Sequence, residues 1–376
     1  MPLSLLYTLV CFLICSLPHY VVAAGVRKGE SKKARVSRKQ RPRLSFSEQG
    51  TFKIMQLTDM HLGEAQFSDW GPQQDVKTYN LLSSLIPYEA PDLLLLSGDQ
   101  LTGNDCNENA TTYYEQMGKF LEKFEIPWAL VFGNHDDSDF EYVDENGTRH
   151  YVEAKTKRPK LAQSLEQFSH SLNEIGPLNI TGTSNYILPI HDSDNSGETV
   201  SQIVLLDSGG GSIPSSFSQS QVDWLGKQLY EKPIPTAVFQ HIPMAEFQYE
   251  ENKCVGTHND GVAYLNPDSG MFSLMESNYN VMFVAVGHNH GNDYCCRVSN
   301  ASLHLCFGRH SGYGGYAAVT DRGARVYELH LMNGTANGRT LEEFADDSTI
   351  SWESWVRIES GEVIDEYKPL LESYDG

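Results

Sequence analysis

Five short motifs in this chain set carboxylate, amide and imidazole groups directly behind apolar runs. Leu57 leads into Thr58-Asp59-Met60-His61, Leu96 into Ser97-Gly98-Asp99, and Phe132 into Gly133-Asn134-His135-Asp136. Phe239 leads into Gln240-His241, and Val286 into Gly287-His288-Asn289-His290. In open α/β sheets the crevice beyond the strand C-termini collects groups that are distant in sequence, so these residues can converge. Asp59 and Asp99 offer hard carboxylate oxygen, Asn134 an amide oxygen, and His61, His241, His288 and His290 imidazole nitrogen. That mixture suits Zn, Fe or Mn better than Ca or Mg. With one carboxylate shared, the set divides into two four-ligand sites that leave room for water. Two cations about 3.5–4 Å apart can activate a bridging hydroxide and neutralise phosphoryl oxygens during in-line displacement. Singly, each motif has an ordinary reading: Gly98-Asp99 as a turn, Asp59 as a helix cap, His241 as a hydrogen-bonded structural residue. Their repetition at strand ends carries the inference.

The elements that must position these groups are legible as apolar runs at 52–57, 92–96, 128–132, 203–206, 237–239 and 281–286. Continuous runs of this length read as strands buried on both faces. Helical patterns intervene at 76–86, 113–124, 161–172 and 222–230, so the expected class is α/β, a β-rich core covered by helices. The stretches 137–160 and 193–198 are polar and read as surface loops. Residues 325–331 alternate as a half-buried strand, and 352–358 form one more apolar element.

With 376 residues, 40% of them hydrophobic and 11% aromatic, the chain can bury a sizeable core, and a single domain over 51–376 is expected. Residues 1–15 form an apolar run too short to span a bilayer comfortably, and Val22-Ala23-Ala24 supplies small residues at a cleavage position. We read 1–24 as a cleaved signal peptide, with an uncleaved anchor as the weaker alternative. Asn-x-Ser/Thr acceptors at Asn109, Asn146, Asn179, Asn300 and Asn333 agree with export and glycosylation. The cysteines beyond the signal are Cys106, Cys254, Cys295, Cys296 and Cys306, an odd set that suits an oxidising compartment with one thiol left over. The expected location is outside the cell or in the lumen of the secretory pathway, vacuole or lysosome.

The net charge of -21 conceals an asymmetry. Nine basic residues from Arg27 to Arg43 stand beside Glu30 alone, which leaves 19 basic against 48 acidic residues elsewhere, a balance of -29. So acidic a body argues against a nucleic-acid partner, and residues 25–50 read as a basic, disordered arm.

The order Asp-x-His, Gly-Asp, Gly-Asn-His-Asp, His, Gly-His-x-His resembles the calcineurin-like metallophosphoesterase signature and covers about 52 to 290. The resemblance implies a metallophosphatase-type β-sandwich of mixed sheets flanked by helices. It also implies one metal on Asp59, His61, Asp99 and His290, another on Asp99, Asn134, His241 and His288, and a phosphate-contacting, proton-donating role for His135. The run from His288 to Cys295, with Leu305-Cys306-Phe307-Gly308 and the glycine- and tyrosine-rich stretch to Tyr316, is similar to the purple-acid-phosphatase-related subgroup of plants and fungi. True purple enzymes carry a tyrosine three residues after the bridging aspartate, where this chain has Thr102, so no tyrosinate-to-iron colour is expected. Asn134, His135, Arg309 and His310 are the expected substrate contacts, the last two because Arg pairs with phosphate and a glycine loop permits close approach. For Arg309 and His310 a simple turn is an equal alternative. By the same resemblance Cys295 pairs with Cys306, leaving Cys296 for Cys254 and Cys106 unpaired. The expected activity is phosphomonoester hydrolysis of a phosphorylated small molecule or phosphoprotein, with two Fe, Zn or Mn ions as cofactors. Phosphodiester cleavage and a catalytically silent binding protein are the alternatives.

Overall fold

The computed structural model describes residues 41–369, apart from breaks at 107–108, 144–145, 194–196, 249–253, 266–268, 299–301, 332–334, 337–338 and 341–349. The expected signal peptide and most of the basic arm therefore lie outside the described residues. Two mixed sheets face each other. The six-stranded sheet runs, in spatial order, Val363–Tyr367, Ile350–Ile358, Gly323–Leu331, Thr51–Leu57, Leu93–Ser97, Trp128–Val131. The eight-stranded sheet runs Leu44–Ser45, Tyr186–His191, Thr199–Leu205, Thr236–Phe239, Val281–Val286, His304–Phe307, Cys295–Arg297, Cys254–Val255.

Successive strand residues point to opposite faces, so each central strand feeds two cores. Ile54, Leu93, Leu95 and Val131 meet Ile203, Leu205, Phe239 and Phe283 between the sheets. Met55, Leu57, Leu94 and Leu96 turn outward against Leu81, Leu82, Leu85 and Ile86 of the helix Gly71–Glu89 and against Tyr114 and Met117 of the helix Ala110–Leu121. On the other flank Val204, Val238 and Val284 meet Leu225 and Leu229 of the helix Gln219–Glu231 and Met271 and Met275 of the helix Met271–Glu276. This double burial explains why the runs lack polar alternation. The sandwich of mixed sheets with helices outside is the expected class.

Thr51–Leu57 pairs in parallel with Leu93–Ser97, which pairs in parallel with Trp128–Val131. Thr236–Phe239 and Val281–Val286 are parallel neighbours in the other sheet. All these strands therefore deliver their C-terminal ends to one edge of the sandwich. Just beneath that edge Gln56 joins the sheets, donating to Ser97 Oγ and the Val286 carbonyl and accepting from the Tyr327 hydroxyl.

The boundary of the basic arm needs correction. Leu44–Ser45 pairs with Ile190 and His191, and Leu44 and Phe46 are buried in the inter-sheet core, so order begins before residue 51. The 137–160 stretch is also more than a surface loop. It contains the hairpin Phe140–Val143 with Arg149–Val152 and the start of the helix Arg158–Ser164, and it hides Asp137 and Arg158 in the interior. The disulfides are Cys295–Cys306 and Cys254–Cys296, with Cys106 free and buried, as the resemblance implies.

Candidate metal centre

Beyond each strand the backbone turns sharply. Asp59, His61, Asp99 and His288 adopt φ of 56°, 48°, 51° and 75°, a left-handed conformation that costs non-glycine residues about 1–2 kcal/mol each. Such outliers persist where surrounding contacts fix them, and they cluster at functional sites. Here Asp59 N donates to Gly98 O (3.1 Å) and His61 N to Asp99 O (2.9 Å), so the first two loops run alongside each other. Asp136 ties in the third, accepting from Gly133 N at 2.7 Å and Leu101 N at 3.0 Å. It is a staple between loops. Gly133 is required by close approach, since a Cβ there would run into the Asp99 carboxylate.

The donors fall into two groups whose candidate atoms lie within 4.8 Å of one another: Asp59, His61 and His290, and Asp99, His241 and His288. Asp99 stands between them, its Oδ2 3.0 Å from His241 Nε2 and 3.8 Å from His61 Nε2, while its Oδ1 accepts from His135 N at 2.7 Å. Asp59 Oδ1 is 3.5 Å from His290 Nε2 and 4.0 Å from His241 Nε2.

The ring orientations test whether cations fit. His241 Nδ1–H donates to Ser97 O (2.9 Å) and His290 Nδ1–H to Tyr316 O (2.8 Å), which turns each Nε2 inward toward the carboxylates. His61 Nδ1 lies 3.1 Å from the Thr102 hydroxyl, and its Nε2 faces His290 Nε2 at 3.2 Å. Two imidazole nitrogens converging on each other is what a shared cation would relieve. Asn134 Oδ1 is buried and lacks a hydrogen-bond partner, a deficit that a cation beside it would relieve. The residues fit a pair of cations.

The imidazoles divide by protonation, His61 and His288 being held neutral while His241 and His290 are raised by the carboxylates beside them. Burial, with repulsion from His135 and His290, pushes His61 down to about 3, and burial with repulsion from His241 pushes His288 to about 4, so both rings are neutral donors. Burial would raise Asp59, but the hydrogen bond and charge of His290 outweigh it and hold the carboxyl well below its usual range. Asp99 is lowered against its own burial by the charge of His241. Burial would lower His241, yet the charge and hydrogen bond of Asp99 carry it up to about 9.

His135 lies at the rim, half-buried, its ring centroid 4.9 Å from that of His61 and its Nδ1 without a partner. Arg309 does not reach the centre. Its guanidinium donates to Asp293 Oδ2 at 2.6 Å and twice to the Asp321 carbonyl, and at 4% exposure it has no free face for a phosphate. The expectation of a substrate contact there is corrected: Arg309 is an anchor of the loop. His310 is buried, its ring 4.0 Å from that of His290, and so stands beside the donor group rather than on an open pocket wall. The glycine loop packs flush against the donor group, for a Cβ at Gly315 would collide with His290 and His61.

Several supporting residues escaped sequence reasoning. Arg158 bonds Asp137 at 3.1 Å, pairs with Asp207, and donates to the carbonyls of Gly133 (2.9 Å) and Gly210 (2.6 Å), fixing the loop that carries Asn134. Tyr316 stacks on His290 at 4.0 Å and accepts from His290 N at 3.0 Å. The only sequence signal for Arg158 was a basic residue in a polar stretch, which does not distinguish it from a surface residue.

The model of the calcineurin-like phosphoesterase family matches residues 52–292. An Arabidopsis thaliana protein named probable inactive purple acid phosphatase 28 is 28% identical over 80% of this chain and 81% of its own length. A Saccharomyces cerevisiae phosphatase is 28% identical over 77% of this chain and 53% of its own length. Among solved structures, a dimetal phosphatase from Danio rerio superposes with a TM-score of 0.52 at 13% identity, covering 84% of this chain and 99% of that one. With the matched segment spanning every strand-end motif, the chain belongs to the calcineurin-like phosphoesterase family.

Proposed function

We propose that this protein is an exported, dinuclear metal-dependent phosphomonoesterase. The observation that carries the reading is the inward direction of Nε2 in His61, His241 and His290, each with Nδ1 engaged elsewhere, around the ionised carboxylates of Asp59 and Asp99. Asp59, His61, Asp99 and His290 would hold one cation, and Asp99, Asn134, His241 and His288 the other. Two divalent or trivalent ions of the Fe, Zn or Mn class, when bound, supply an activated water nucleophile and neutralise phosphoryl charge.

The chain's own residues do the rest. Asp99 sets the separation of the two halves, because its Oδ1 is fixed by His135 N while Oδ2 faces both groups. His135, half-buried at the rim beside His61, protonates the departing alkoxide of the ester. Some Arabidopsis relatives bear names that call them inactive, and the complete donor set here supports turnover instead. Export is supported by the apolar first residues, by paired cysteines, and by the exposure of Asn109, Asn146 and Asn179. Asn300 and Asn333 lie outside the described residues. No helix among the described residues is long and apolar enough to cross a membrane.

Phosphate release from a panel of phosphorylated small molecules and phosphopeptides, run against phosphodiesters, tests the reading. Monoesters should be turned over preferentially. Diester preference, or no turnover of either class by metal-loaded protein, would overturn it.

A further inference from the structure

Among the described residues His310 alone has both of its side-chain polar atoms buried and without a hydrogen-bond partner. At 1% exposure a neutral imidazole leaves a donor and an acceptor unmet, a cost that native interiors avoid. His304 shows the ordinary solution for a structural histidine: similarly buried, it binds the Tyr367 hydroxyl through Nδ1 at 2.7 Å. Another orphan near the motifs is Asn134 Oδ1, an expected metal ligand. His310 shares its condition.

Its backbone explains how it is held. Gly308 N donates to Val286 O (2.8 Å), His310 bridges Thr58, and Ser311 N donates to Thr58 O (3.0 Å). The segment is thus pinned between the strand ends that deliver Asp59 on one side and His288 and His290 on the other. Gly323 N donates to the His310 carbonyl at 3.2 Å, so the backbone here is held on both sides. The ring lies 4.0 Å from that of His290, tilted by 41°, and within electrostatic reach of Asp59 and His61.

We propose that His310 is a further protein donor to the cation held by Asp59, His61, Asp99 and His290. The inference rests on the metal-centre reading above and extends it to a residue outside the strand-end motifs. It makes the two halves unequal. The first gains His310 beside His61 and His290, whereas the second keeps His241 and His288. Imidazole suits Fe and Zn and is less favourable to Mn, so the first half becomes the more selective one and should fill first.

The test uses full-length protein, stripped with chelator and titrated with Co(II), in wild-type form and as His310→Phe, which keeps an aromatic ring but removes both nitrogens. The wild type should take up two equivalents. His310→Phe should weaken one of them by more than the about 10–100-fold that loss of an outer partner costs, and should change the visible Co(II) band of that half alone. If the wild type binds two equivalents and His310→Phe binds both with unchanged affinity and spectrum, the His310 assignment falls and the metal-centre reading stands. If the wild type binds none, both fall. Should His310→Phe fail to fold by circular dichroism, proton NMR of the wild-type Co(II) protein decides. A paramagnetically shifted imidazole signal assigned to His310 upholds the assignment, and an unshifted one overturns it.

Discussion

Among the described residues three clusters have the donor chemistry of a metal site, and two of them have its physics. Asp59 with His61 and His290, Asp99 with His241 and His288, and Glu328 with His330 and Glu353 all bring their atoms within 4.8 Å. The last cluster sits mid-strand at the sheet surface, where Glu328 faces Glu353 across one ladder and Lys53 across the other. Like charges directly opposite are unfavourable. Here they are offset, because Glu353 is 2.9 Å from Lys368 and all three side chains are half-exposed. At the strand ends the carboxylates are buried, their partners are imidazoles and backbone N–H groups, and four of the residues hold left-handed backbone. Proximity of the right residue types is therefore a weak criterion. Burial without a sufficient internal partner, on a backbone that the surroundings must hold in place, separates the two situations.

The largest effect should come from removing the charge shared by both halves. Asp99→Asn is expected to bring turnover to the uncatalysed background and to reduce metal content, measured by elemental analysis alongside phosphate release. Next, His135→Ala should lower kcat by about 10²–10⁴-fold while metal content stays at the wild-type level, the signature of a lost proton donor rather than a lost ligand. Loss of metal together with activity would move His135 into the ligand set.

Arg158→Met probes the support beneath Asn134. It leaves Asp137 and Asp207 buried without their cation, and breaking a buried pair in this way costs about 3–5 kcal/mol. Urea unfolding should register it, and an unchanged midpoint would show that the network is dispensable. The smallest effect belongs to the surface cluster. Glu328→Gln should leave metal content and activity alone and shift stability by no more than about 0.5 kcal/mol, as exposed positions do. A lost metal equivalent in that variant would erase the distinction drawn between the clusters.

Much of the strand-end site could be read from the sequence because two independent patterns coincide there. Doubly buried strands give uninterrupted apolar runs, and the first polar residues after each run must lie at the sheet edge, as Asp59 does after Leu57 and His288 does after Val286. The support was less visible. Arg158 and Asp137 look like solvated residues in a polar stretch, and only a pairing with Asp207, 49 positions beyond Arg158, makes their burial affordable. Arg309 beside glycines suggested phosphate, but the presence of Asp293 and the Asp321 carbonyl within reach decides its direction, and neither is fixed by local sequence. At the N-terminus the charge of the arm masked Leu44 and Phe46, whose burial depends on a parallel pairing with Ile190 and His191 far along the chain.

Metal content of the purified, active protein bears most directly on the central claim. The account predicts two Fe, Zn or Mn class cations per chain, phosphate release that falls as chelation removes them, and recovery when they are restored. Undiminished turnover by metal-free protein, or folded protein that takes up no cation at the strand ends, would contradict it.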